Sequence, residues 1–315
     1  MTLWEILRAQ RCACSDDLFA MLAAEKLNGG RTHRNTIIIQ HGKGKFKATA
    51  EGNNVVWKYG AQEIHGNACQ FTVEEDNAQI LVSFDGLLTK FESRSDAQTL
   101  LDLSDLGGRL TYYLNLYNCK NITGSLTDLG GKLTYALNLS GCSNITGSLA
   151  DLGGKLTYTL DLSGCSNITG SLADLGGKLT YFLGLYNCKN ITGSLADLGG
   201  KLTYYLSLYN CKNITGSLAD LDGKLTHTLS LSGCPNITGI YSGNSYPTTV
   251  NLSYTGLTAV DMDQTLINFN AGTTKSGTFT AAGMTRTAAS DDAVAGLTAR
   301  GWKFTGLTKL EEAGT

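Results

Sequence analysis

The chain reads as an α/β solenoid, and three observations predict it. The unit LTYxLxLxxCxNITGSLxDLGGK returns every 23 residues between Leu110 and Gly239, with its cysteine at 119, 142, 165, 188, 211 and 234. A fixed period in this range marks a one-dimensional stack of similar coils. Within each unit a short run alternates, as a strand does when it sends successive side chains to opposite faces. In the third unit, Tyr158, Leu160 and Leu162 hold positions that scarcely change between units, whereas Thr159, Asp161 and Ser163 hold positions that vary. The unvarying face is expected to be core and the varying face solvent, with one parallel strand added per unit at about 4.8 Å. Finally, Ser171-Leu-Ala-Asp174 has the form of a capping box and Gly176-Gly177 follows it. That pattern predicts one helical or 3₁₀ turn closed by a residue at positive φ. Cys165 and Ile168 are expected to point inward, and Asn-Ile-Thr-Gly to make a bend between them and the convex turn.

The other segments follow in order. Residues 1–30 form an N-terminal helical segment. Thr2-Leu-Trp-Glu5 is a capping box that opens a helix, and a second helix over 18–27 is stopped by Gly29-Gly30. Two short helices cannot enclose a core alone, so they need a surface to dock on: this chain, a second copy or an assembly partner. Residues 31–95 predict a small all-β domain with strands at 36–40, 45–50, 55–59, 68–73 and 79–84, separated by Gly, Asn and Asp turns. Residues 96–259 carry the solenoid, beginning with the half-unit Leu103-Ser-Asp105-Leu106-Gly-Gly. Residues 260–315 predict a β/α cap with helices at 261–269 and 291–300 and strands at 277–281 and 303–305. Leu266, Ile267, Phe269, Leu297 and Trp302 are expected to cover the last unit, because an open solenoid end exposes core.

The repeated L-x-L-x-x-C-x-x-I-T resembles the leucine-rich repeat family, in particular its cysteine-containing class. The resemblance implies an arc with a parallel concave sheet and a binding role for that sheet. The usual L-x-x-L-x-L here reads Leu156-Thr-Tyr-Thr-Leu160-Asp-Leu162, with one extra residue. Tyr158 is read as filling an inward site, with a β-bulge at Thr159 as the rival reading. Val56-Trp57-Lys58-Tyr59-Gly60, followed by Cys69 to Val73 and Ile80 to Phe84, resembles a PKD-type, immunoglobulin-like sandwich. Leu297-x-x-Arg-Gly-Trp302 and the Asn-Ile-Thr-Gly units resemble repeat proteins of gut-bacterial phages and prophages, which implies a phage tail or virion-associated component.

Composition excludes several classes. The 315 residues carry a net charge of −2 with 17% charged residues, so no broad basic face predicts nucleic acid. No apolar run approaches a membrane span, and Met1-Thr-Leu-Trp-Glu-Ile-Leu-Arg does not read as a signal peptide. Nine cysteines, six of them at one repeat position, read as a buried ladder and not as a disulfide framework. Cys12, Cys14 and Cys69 stand outside the ladder and are expected to be the reactive ones. Cys12-x-Cys14 and His65-x-x-x-Cys69 are incomplete as zinc ligands, and His41-Gly-Lys-Gly-Lys lacks the ending of a phosphate loop and reads as a hairpin turn. His227 replaces a repeat tyrosine and reads as a core or strand residue. No cofactor is predicted. Asn-Ile-Thr matches the glycosylation acceptor in all six units, but its side chains are expected to bond backbone.

The informative chemistry lies on the varying face. Units 1, 4 and 5 carry an aromatic residue followed by Tyr-Asn-Cys-Lys: Tyr113, Tyr117, Asn118 and Lys120; Phe182, Tyr186, Asn187 and Lys189; Tyr205, Tyr209, Asn210 and Lys212. Units 2, 3 and 6 carry Ala or Thr, then Ser-Gly-Cys. Tyrosine offers large contact area at low entropic cost. These twelve residues are therefore the candidate ligand-binding set, for a protein or a glycan. A structural spacer, and an enzyme whose site lies outside the repeats, are the alternative readings.

Overall fold

One 23-residue unit shows how the sequence makes its coil. In the computed structural model, which describes residues 35–311 except 95 and 97, the third unit begins with the strand Thr159–Asp161. A tight turn follows, then a second strand, Asn167–Ser171, and the 3₁₀ turn Leu172–Leu175. Leu156, Leu160, Leu162, Cys165, Ile168, Leu172 and Leu175 are all buried. The Ser171 side chain accepts from the Ala173 N–H, the Asp174 carboxylate accepts from the Ser171 N–H, and Gly176 closes the turn at φ 66°. The capping box and the positive-φ stop are thus as the sequence predicts. Asn-Ile-Thr-Gly is more than a bend: it forms a second short parallel ladder, in which Thr146, Gly147 and Ser148 pair with Asn167, Ile168 and Thr169. Its glycine is needed for space as well as for φ 108°, because a Cβ on Gly170 would lie 2.7 Å from Ser148 Oγ and 2.8 Å from the Leu149 nitrogen.

The coils stack into a long, mainly parallel sheet of regular short strands, a solenoid-like repeat. Ala136–Asn138, Thr159–Asp161, Phe182–Gly184, Tyr205–Ser207, Thr228–Ser230 and Thr249–Asn251 pair in chain order. Side chains fix the register. Thr157 Oγ1 donates to the Thr134 carbonyl, Asn167 Nδ2 to Ser143, Thr169 Oγ1 to Gly147 and Cys165 Sγ to Leu139, all in the preceding unit. The Asn-Ile-Thr side chains do bond backbone, that of the coil before them.

The extra residue stands before the strand in each unit. The N–H groups of Tyr158 and Thr159 both converge on the Tyr135 carbonyl, at 3.1 and 3.3 Å. Between repeats the register stays one-to-one, but the strand 110–115 gains one residue on its neighbour 78–92 between Leu110 and Tyr113, so the extra residue enters there as a bulge, and the inward placing of Tyr158 is corrected. Tyr158 lies half-buried at the surface, and Tyr112, Tyr135, Tyr158, Tyr181 and Tyr204 form a stacked ladder with ring centroids 4.6 to 4.7 Å apart. His227 ends this ladder against Tyr204, exposed, and is not a core residue.

Before the repeats, β1 (Asn35–His41), β2 (Gly44–Tyr59), β3 (Gln62–His65), β4 (Ala68–Val73) and β5 (Ala78–Glu92) are mostly antiparallel. The predicted strands at 45–50 and 55–59 are one strand, β2, whose register against β5 shifts between Glu51 and Val56. β6 (Thr99–Asp102), the helical turn α1 (Leu103–Leu106) and β7 (Leu110–Asn115) follow. β5 pairs in parallel with β7, so the repeat sheet continues into this segment. The predicted helices over 1–30 lie outside the described residues.

After the repeats, α2 (Ala259–Ala271), strand Thr278–Arg286, α3 (Asp291–Ala299) and strand Lys303–Lys309 extend the sheet by two more parallel strands. Leu266, Phe269, Leu297 and Trp302 are buried as expected, but Ile267 is exposed, because it falls on the outer side of α2 next to buried Leu266. No helix among the described residues is long and apolar enough to cross a membrane.

Cys69 is buried in β4 and is not one of the reactive cysteines. Burial pushes the thiols of Cys69, Cys165 and Cys211 up to about 12 and that of Cys234 to about 11, and it raises Cys142 and Cys188 as well. Only the thiolate reacts. Maleimide treatment followed by peptide mass mapping is therefore expected to leave Cys69 and the ladder from Cys142 to Cys234 unmodified in the native protein. All six should be labelled in denaturant; native labelling at any of them would contradict the inward ladder.

Candidate functional site

The extra residue before each strand decides which side chains reach the open face of the sheet. Beyond it, residues at three register positions per unit point away from the buried leucines. In the first position stand Tyr113, Ala136, Thr159, Phe182, Tyr205 and Thr228; in the second Asn115, Asn138, Asp161, Gly184, Ser207 and Ser230; in the third Tyr117, Ser140, Ser163, Tyr186, Tyr209 and Ser232. Identical positions lie one strand spacing apart, so equal aromatic residues in neighbouring units must stack.

They do so in units 4 and 5. Phe182 and Tyr205 are stacked with centroids 4.1 Å apart and planes at 5°, and Tyr186 and Tyr209 at 4.7 Å and 12°. Tyr117 and Tyr186 remain 46% and 43% exposed, whereas Phe182, Tyr205 and Tyr209 are half-buried at the surface. The structure thus brings the four aromatic residues of units 4 and 5 into one patch. In unit 1, Tyr113 is tethered: its hydroxyl accepts from Asn115 Nδ2 and Arg94 Nη2, and the Lys90 ammonium lies 5.5 Å from its ring centroid.

Asn118, Asn187 and Asn210 have a backbone role that the sequence reading missed. They adopt φ of 58°, 63° and 60°, and the glycines that replace them, Gly141, Gly164 and Gly233, adopt 83°, 83° and 76°. Asparagine and glycine are the residues that tolerate this left-handed turn best. The alternation of Asn with Gly at one repeat position was the available signal. Asn210 also donates through Nδ2 to Asn187 Oδ1 at 3.0 Å, forming an amide edge beside the tyrosines. Lys120, Lys189 and Lys212 are exposed beyond the buried cysteine, on the turn that leaves the sheet.

A second missed residue is Asp161, the one charged side chain among the eighteen outward positions of the six units. Its Oδ1 accepts from the Ser163 N–H at 3.0 Å. It leans over Gly184: a Cβ there would lie 2.6 Å from Asp161 Oδ1, 2.9 Å from Ser163 Oγ and 3.0 Å from Phe182 Cε1. Desolvation raises the Asp161 carboxyl above its usual range, against the lowering effect of its hydrogen bonds to Ser163. The titratable groups around it are Tyr205, on the same face, and the buried thiols of Cys165 and Cys188. Among the described residues, no lysine or arginine is ion-paired with it.

No family model and no curated protein matches this chain. Among the described residues no group of three or more His, Cys, Asp or Glu is placed to hold a metal ion.

A raised carboxyl value in the folded state means that the ionised form costs stability. The cost is absent below the ordinary aspartate value of about 3.9 and grows as pH rises through the raised folded value. Asp161→Asn is therefore expected to raise the melting temperature at neutral pH, with the gain shrinking to nothing in acid. The same N–H is accepted by asparagine at the matching position elsewhere, where Asn138 Oδ1 takes the Ser140 N–H at 3.0 Å. Thermal melts of both proteins across pH check this; a loss of stability at neutral pH would contradict it.

Proposed function

We propose that the chain is a non-enzymatic recognition or adhesion protein of the leucine-rich repeat kind, which binds a protein or a glycan on the open face of its parallel sheet. The observation that carries this reading is the pair of surface ring stacks, half-buried Phe182 with Tyr205 and exposed Tyr186 with half-buried Tyr209, on a framework that is otherwise the same in each unit. Stacked rings strengthen a sheet, and that alone could explain aromatic neighbours. That role is already filled: the ladder from Tyr112 to Tyr204 runs through five successive units. Residues needed only for cohesion would recur in all units as these do. The aromatic residues at 113, 117, 182, 186, 205 and 209 occur in three units and are replaced by Ala, Thr or Ser in the others. A spacer has no need of such switching. Attachment to an assembly, which the phage resemblance suggests, would fall to residues 1–30.

The test replaces Tyr186 and Tyr209 by Ser, the residue found at Ser140, Ser163 and Ser232. Full-length protein and variant are compared on immobilised glycan and peptide panels, with circular dichroism and thermal melts as the folding control. The double variant is expected to fold, to melt within a few degrees of the parent, and to lose binding by about tenfold or more, since each large aromatic contact contributes on the order of 1 kcal/mol. Undiminished binding by the folded variant would refute the reading.

A further inference from the structure

The open face carries one arrangement twice. At the first junction of the sheet, Lys90 of β5 is the register partner of Tyr113, and Glu92 that of Asn115. The Lys90 ammonium lies 5.5 Å from the Tyr113 ring centroid, 3.5 Å from Glu92 Oε2 and 3.3 Å from Glu51 Oε1. An ammonium over an aromatic ring is held by the ring's negative face, and a carboxylate beside it adds to the attraction. Three strands further on, between units 3 and 4, the register partners are Thr159 with Phe182 and Asp161 with Gly184. Asp161 stands where Glu92 stands, and Phe182 where Tyr113 stands. The position of Lys90 is taken by Thr159, which is short and uncharged.

A ring and a carboxylate stand beside that point. One face of Phe182 is covered by Tyr205 at 4.1 Å, so the other is turned toward unit 3. Asp161 Oδ1 and Phe182 Cε1 close in over Gly184, 2.6 and 3.0 Å from where its Cβ would stand, so the carboxylate is held next to that ring. On the far side of unit 2 stand Tyr113 and Tyr117, three strands from Phe182 and Tyr186, or about 14 Å between strand axes. The floor between is Ala136, Asn138, Ser140, Thr159, Asp161 and Ser163. This is a groove with aromatic walls and a single charge in its floor.

We propose that this groove takes a lysine side chain of an extended peptide, its ammonium seated above Thr159, beside Asp161 and the face of Phe182 turned away from Tyr205, as Lys90 is seated beside Glu92 and Tyr113. The proposal rests on the reading that this face binds a ligand, and it narrows the ligand class. A lysine suits the site because its apolar stem can lie along a ring while its head reaches the carboxylate. A neutral glycan would cover Asp161 without compensating its charge, which is costly. An amino sugar offers the ammonium but no such stem.

The experiment uses the full chain and fluorescence anisotropy, with labelled extended peptides carrying one lysine, the same peptides with that lysine Nε-acetylated, glucosamine oligomers, and neutral N-acetylglucosamine and glucose oligomers. Lysine peptides are expected to bind, more weakly in high salt, and acetylation or Asp161→Asn to weaken binding by about tenfold or more. Asp161→Asn should fold, since Asn115, Asn138 and Asn251 accept the same backbone bond in their units. Thr159→Lys should also fold and should abolish peptide binding by seating its own ammonium over Phe182. Equal binding of acetylated and unmodified peptides, or indifference to Asp161→Asn, would overturn the proposal. Binding of neutral sugars that depends on Tyr186 but not on Asp161 would overturn it while leaving the recognition reading intact. Preference for glucosamine oligomers would overturn the peptide source. If no probe binds in a Tyr186-dependent way, both readings fail.

Discussion

Everything on this sheet depends on a lock between successive coils. Each unit donates side-chain hydrogen bonds to carbonyls of the unit before it: in the fourth, Thr180 to Thr157, Asn190 to Ser166, Thr192 to Gly170 and Cys188 to Leu162. The cysteine bond reaches a carbonyl in the buried turn, where an unpaired acceptor would cost about 1–3 kcal/mol. These bonds come from four points around the coil, so a slip by one residue would break all of them at once and also turn leucines outward. Only one stacking register satisfies them together.

A fixed register makes neighbours of equivalent residues, one strand spacing apart, and that sets what each position can hold. Tyrosine gains by stacking on itself, hence the ladder from Tyr112 to Tyr204. A column of equal charges would repel on the same geometry. Asp161 accordingly has Asn138 on one side and Gly184 on the other. The second charged place on this face, at β5, is neutralised by its own partners, since Glu92 lies against both Lys90 and Arg94.

Much of this was legible in the sequence, because period and alternation report burial directly. Leu160, Leu162, Cys165 and Ile168 could be placed inward, and the capping boxes and the four elements after the repeats could be placed, from residue types alone. Tyr158 could not. Strict alternation fails where one extra residue enters a strand, and that shows only in the register shift of Leu110 to Tyr113 against β5. The likeness of Glu92 to Asp161 was hidden for another reason: β5 has no trace of the repeat motif, so its register with Tyr113 appears only when the strands are laid side by side. The isolated charge at 161 was visible, but nothing in the sequence tied it to Phe182.

The lock also means that outward residues of adjacent units are chosen in pairs. A Cβ on Gly233 would lie 2.6 Å from Asn210 Oδ1, and one on Gly141 would lie 3.2 Å from the Asn118 Cα. Asparagine in one unit therefore goes with glycine in the next, or with a second asparagine whose amide it can bond, as Asn210 does with Asn187. Gly184 stands in the same relation to Asp161, although its φ is not in the left-handed region, so there the glycine answers to the neighbour's carboxylate and not to its own backbone. The face is thus built from couples of units. Exchanging one unit for another version changes two neighbouring contacts along with its own side chains, and a groove such as that between Tyr113 and Phe182 is a property of the order of the units more than of any one of them.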